Sequence, residues 1–108
     1  MSRGPSRHEI PVIDDAALRA ARVADPVLAY VRDVGLARWE KVLAPIPDAL
    51  RDGSLAEVRA AARTARAAFG TKDSLADAVP SDLWRPLRDA VDALLKALAR
   101  RDAETRDQ

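Results

Sequence analysis

In the stretch "SLAEVRAAARTARAAFG", residues 54 to 70, the residues whose type and spacing come nearest to chemistry are Arg59, Arg63 and Arg66. Spacings of four and three set their guanidinium groups along one ridge of a helix, beside the apolar face of Leu55, Val58 and Ala62. Such a ridge can bind phosphates or carboxylates, because each guanidinium offers donors in a fixed fork. No acid lies three or four residues from any of the three. They must therefore be solvated, paired across helices to acids such as Asp48, Asp52, Asp89 or Asp92, or used on a ligand. The last reading makes the chain an anion-binding regulator, with a nucleotide or nucleic acid as the anion.

The remaining candidates for chemistry are carboxylates. Asp14 with Asp15, His8 with Glu9, and Asp73 with Asp77 are the tight clusters, and the first and last sit where helix starts favour acids. The chain has no Cys and one His, so thiol nucleophiles, disulfides and thiolate or multi-histidine metal sites are excluded on ligand supply. "FGTKDS" lacks the glycines and the Gly-Lys-Ser/Thr end of a phosphate loop. No catalytic residue, metal or cofactor is assigned, and a small helical enzyme working through carboxylates is a third reading without a defined residue set.

Charge weighs against nucleic acid as the main partner, since 18 Lys and Arg nearly cancel 17 Asp and Glu and leave no strong field for a polyanion. The segment "PDALRDGSLAEVRAAARTARAAF" has the outline of a helix-turn-helix, yet its second helix is poor in the Asn, Gln, Ser and Lys that read base edges.

The elements that must position these groups are helical. Hydrophobic residues make up 48% of the chain, but 23 of the 108 residues are Ala. Alanine favours helix and lets helices approach closely, while adding little apolar area per residue. No segment alternates with strand period for long, so the expected fold is all-α: a small antiparallel bundle of about four helices with short extra turns. Residues 1–13 read as a flexible or extended arm, 14–101 as the bundle domain and 102–108 as a disordered tail. The four apolar residues 10–13, "IPVI", are expected to dock in cis or in trans.

Within the bundle, Asp14 or Asp15 caps a first helix to about Ala24, with Asp15 paired to Arg19 four residues on. Asp25 then caps a second helix, with Pro26 at its first position, running to about Ala44 unless Gly35 splits it. Ser54 and Glu57 form the S-x-x-E capping box of the arginine helix, the clearest local signal in the chain. Ser74 and Asp77 repeat that spacing before Pro80. Ser81 caps the last helix, in which Pro86 marks a kink or a fresh start, and Arg85–Asp89, Arg88–Asp92 and Asp92–Lys96 are at pairing distance.

That last helix carries the strongest stripe, Leu83, Leu87, Val91, Leu94 and Leu98, widened by Trp84 and Leu95. Trp39 and Trp84 each sit beside charge at the edge of an apolar stripe. They either close the core or anchor a partner, since Trp and Arg dominate interface hot spots. Trp84 is the better anchor because it extends an already wide stripe, more than a small alanine-rich bundle is expected to cover alone. The expected function is a non-enzymatic protein-interaction module, a homodimer or the small accessory or regulatory subunit of a larger assembly. Its expected interface is Trp84, Leu87, Val91, Leu94, Leu95 and Leu98, shared between core and partner. Neither a signal peptide nor an apolar run long enough to span a bilayer is visible, so the expected location is cytoplasmic.

Overall fold

The computed structural model describes residues 10–70 and 74–106. Among the described residues six helices follow one another: α1 (Pro11–Asp33), α2 (Ala37–Leu43), α3 (Ile46–Asp52), α4 (Leu55–Ala67), α5 (Leu75–Ala78) and α6 (Ser81–Arg106). The fold is the expected small all-α bundle. Its body is α1, α3, α4 and α6, each of α1 and α4 packing on both α3 and α6, while α2 and α5 are the extra turns.

The longest contact joins α1 to α6. On α1, Ile13, Ala17, Ala20, Ala21, Ala24, Val27, Leu28 and Val31 are buried, and α6 answers with Leu87, Ala90, Val91, Leu94 and Leu98. From α4 come Val58, Ala61, Ala62 and Ala65. Half of the α1 set and three of the four α4 residues are Ala, so close approach of the backbones does what bulky side chains do in larger cores.

Helix α1 departs from the sequence expectation at both ends and in its middle. Its start lies at Pro11, inside the segment assigned to the arm: the carbonyl of Ile10 accepts from the N–H groups of Ile13 and Asp14, both at 3.0 Å. Ile13 is a core residue rather than part of a free arm. Ile10 is the N-cap, and the Asp14 carboxylate lies in the first turn instead of capping. Residues 1–9 of the expected arm lie outside the described residues.

The helix also runs straight through Pro26. A proline there removes one hydrogen bond to the carbonyl of Arg22, but both residues are exposed, so water can take that carbonyl. What holds the helix together is its buried face, which continues from Ala24 to Val27 and Leu28 without a break. Asp25, expected as a cap, instead pairs with Arg51 of α3, and this bond holds the Arg51 guanidinium still more firmly in its charged form.

Where the long helix was expected to continue, it stops. Gly35 takes a left-handed φ of 77°. The Leu36 N–H reaches the Val31 carbonyl at 2.8 Å and the Gly35 N–H reaches that of Arg32 at 3.3 Å, the two bonds of a Schellman ending. Leu36 then packs on the core and α2 begins. Gly53, before α4, answers a different need, close approach: a Cβ there would lie 2.4 Å from the Ala49 carbonyl oxygen.

The capping box at the start of α4 is present as expected. Ser54 Oγ accepts from the Glu57 N–H at 3.2 Å, and Glu57 Oε1 accepts from the Ser54 N–H at 3.1 Å. At α5, Asp77 Oδ2 accepts from the Ser74 N–H at 3.3 Å. Helix α6 passes Pro86 without interruption and continues beyond Arg101, through part of the expected tail, to Arg106. Ser81 is its first helical residue, and Pro80 supplies the first acceptor, to the N–H groups of Leu83 and Trp84.

The two backbone specialists give opposite outcomes on substitution. Gly35→Ala places a Cβ in the left-handed region and costs about 1–2 kcal/mol, a fall of roughly 4–8 °C per kcal/mol in thermal unfolding followed by circular dichroism. Pro26→Ala restores the missing N–H and raises the melting temperature. The capping box supplies a pH dependence. Hydrogen bonds from the Ser54 backbone and hydroxyl hold the Glu57 carboxyl below its ordinary value. Its contribution is therefore complete above the usual glutamate range and is lost as the pH falls through the lowered value. Glu57→Gln keeps the acceptor and flattens this acid limb, which urea unfolding at a series of pH values measures.

Candidate functional site

The arginine ridge is placed on α4 facing α6. Arg59 makes a bidentate pair with Asp102, Nη1 to Oδ2 at 2.6 Å and Nη2 to Oδ1 at 2.9 Å. Arg66 Nε lies 3.1 Å from Asp92 Oδ1. Seven residues up α4 correspond to ten residues down α6, so the two helices are antiparallel. The hydrogen bond to Asp102 raises the Arg59 pKa further above its usual range, against partial burial. Arg63, between them, is exposed and has no ion-pair partner among the described residues. Two of the three candidate anion-binding groups are thus engaged within the fold.

Asp92 was one of the acids expected to answer the ridge; Asp102 was not, because the segment that holds it reads as a frayed tail. Cross-helix pairing also overrides pairs expected along α6. Asp92 goes to Arg66 rather than Arg88, and Arg88 turns to its neighbour Asp89 at 3.2 Å.

The expected interface divides sharply. Leu87, Val91, Leu94 and Leu98 are 0–1% exposed and belong to the core of the single chain. Trp84 and Leu95 remain half-buried on the flank of α6 that faces α4. The Trp84 ring packs on Phe69, just past α4, with centroids 5.9 Å apart and planes tilted by 46°. The guanidinium carbons of Arg85 and Arg88 stand 5.6 and 5.0 Å from its centroid, within cation–π range. Periodicity sets Phe69 on the apolar face of its own helix, but its meeting with Trp84 and the two cations comes only through the α4/α6 packing.

Trp39, on α2, is also half-buried, with the Arg38 guanidinium 4.9 Å from its ring. It borders a cleft of about 340 Å³ with Val42, Thr64, Ala67, Gly70 and Ser74. Of the hydroxyls there, Ser74 Oγ donates to Asp77 Oδ2 at 3.4 Å within the cap of α5, and the single histidine, His8, lies outside the described residues. Glu9 and Asp73 of the sequence-level acid clusters lie outside them as well. Among the described residues no three His, Cys, Asp or Glu side chains come close enough to hold a metal ion. No helix of the described residues is long and apolar enough to cross a membrane.

Comparison with protein-family models, with curated proteins and with solved structures finds no match.

The Arg59–Asp102 pair makes the ridge testable as structure. Arg59→Ala and Asp102→Ala each lower stability by about 0.5–1 kcal/mol, and the double variant loses less than the sum. Amide exchange in the last turns of α6 rises in all three, whereas Arg63→Ala leaves both exchange and melting temperature unchanged.

Proposed function

We propose that the chain is a non-enzymatic protein-interaction module, a homodimer or the small accessory subunit of a larger assembly, that makes contact through the Trp84 flank of α6. The observation that carries this reading is Trp84 itself. A half-buried indole, backed by Phe69 and covered by two guanidinium groups, combines the residue types that concentrate binding energy at interface centres. Leu95 lies on the same flank of the helix, roughly three turns further on.

The charge around Trp84 favours a second copy. Arg85 and Arg88 stand beside Asp89 and Asp92, so both signs occur on one flank. An isologous contact repeats a patch against itself, and a patch of mixed sign can do so with opposite charges facing. An alanine-rich core also leaves a small domain short of buried apolar area, which association supplements.

Sedimentation velocity and native mass spectrometry over a range from low to high micromolar concentration test the dimer. The expected result is a mass of two chains. Leu95→Glu and Arg85→Glu return it to one chain, with helix content and melting temperature little changed. A single-chain mass at every concentration overturns the homodimer, and a dimer indifferent to both substitutions places the contact elsewhere. Loss of helix content in Leu95→Glu alone makes Leu95 a core residue, and Arg85→Glu, at an exposed position, then carries the test.

A further inference from the structure

The other flank of α6, where it runs beside α1, holds a second surface of opposite character. A groove of about 420 Å³ lies between the two helices. Its floor is Val12, Ala16, Ala93 and Ala97, and Val12 is 69% exposed, the most exposed large apolar side chain among the described residues. Its rim carries Arg19, Lys96 and Arg100 against one acid, Asp15. Three arginines elsewhere are paired across the body of the bundle, Arg51 to Asp25, Arg59 to Asp102 and Arg66 to Asp92, while Arg63 is not. On this rim none of the four charged groups makes an ion pair among the described residues, and the expected Asp15–Arg19 pair is not formed.

We propose that this groove docks an acidic helical segment of a partner protein. Alanines at the floor allow a third helix to approach more closely than larger side chains would. From Val12 to Arg19 the groove is seven residues long, roughly 10 Å or two helical turns. An occupant of that length presents a small or apolar stripe to the floor and carboxylates to Arg19, Lys96 and Arg100, with a neutral or basic residue near Asp15.

Other occupants fit less well. A second copy in an isologous contact would set this net positive rim against itself. The chain's own residues 1–9 carry Arg3 and Arg7 against Glu9, the same net sign as the rim. A nucleic acid would find no aromatic ring on the floor for base stacking, and Asp15 would repel its phosphates. The inference stands apart from the Trp84 interface, since it uses the opposite flank of α6.

A displayed library of two- to three-turn helical peptides, randomised in charge and selected against the full chain, tests this. The expected binders carry two or more Asp or Glu on one flank, weaken as salt rises, and shift amide resonances at residues 15–19 and 93–100. Lys96→Glu with Arg100→Glu, both at exposed positions, lowers their affinity at least tenfold, and selection against that variant returns basic helices. Leu95→Glu leaves binding unchanged, which separates this groove from the dimer contact. If the charge-reversed chain does not fold, Lys96→Gln with Arg100→Gln gives a smaller loss in the same direction. No binder above the unselected library, binders that map to another face, or binders indifferent to these substitutions overturn the proposal.

Discussion

The packing of α1 on α6 is the constraint from which the rest of the structure follows. The two are the longest helices of the described residues, roughly 35 and 39 Å, and neither can bury its apolar stripe alone. Alanine supplies half of the buried residues of α1, so the stripe contributes only if it stays continuous and close to its neighbour. That requirement carries α1 through Pro26, where local preference points to a new start, and it recruits Ile13 from a segment that reads as a loose arm.

Once α1 and α6 are set, charge pairing is arranged between helices more than along them. Asp25 turns from capping to Arg51, Asp92 turns from its own helix to Arg66, and Asp102 takes Arg59. The Arg59 pair lies at the far end of α6, and two parallel hydrogen bonds there anchor its last turns to α4 where the sequence offers no apolar side chain larger than Ala. The same pairing removes two cations from the ridge that looked most like an anion site. An alanine-rich bundle needs cross-helix links, and its arginines are long enough to make them.

The two flanks of α6 differ in the chemistry they leave over. Toward α4, an indole, a phenyl ring and two guanidinium groups share the surface with two carboxylates. Toward α1, the surface is a floor of small apolar side chains with three cations and one acid that form no ion pair among the described residues. A face of mixed sign is suited to contact with its own copy and a face of one dominant sign to a partner of the other. The proposed division of labour, self-association on one flank and an acidic helix on the other, rests on that contrast.

By itself the sequence determined what local physics decides. Helix throughout follows from 23 alanines and 3.6-residue stripes, the α4 start from Ser54 and Glu57, and the absence of thiol chemistry from the lack of Cys. It also marked Gly35 as a point where a helix could split. The tertiary structure decided every choice in which two local signals compete or two distant residues must meet. Pro26 breaks no helix because the buried face on either side of it is continuous, while Gly35 ends one because it alone can adopt the left-handed turn that returns Leu36 to the core. Whether Leu94 or Leu95 stays accessible, and whether Arg59 is free or bound to Asp102, depends on the rotation of α4 about α6. Periodicity shows that each helix has an apolar face, and only packing shows which neighbour covers it.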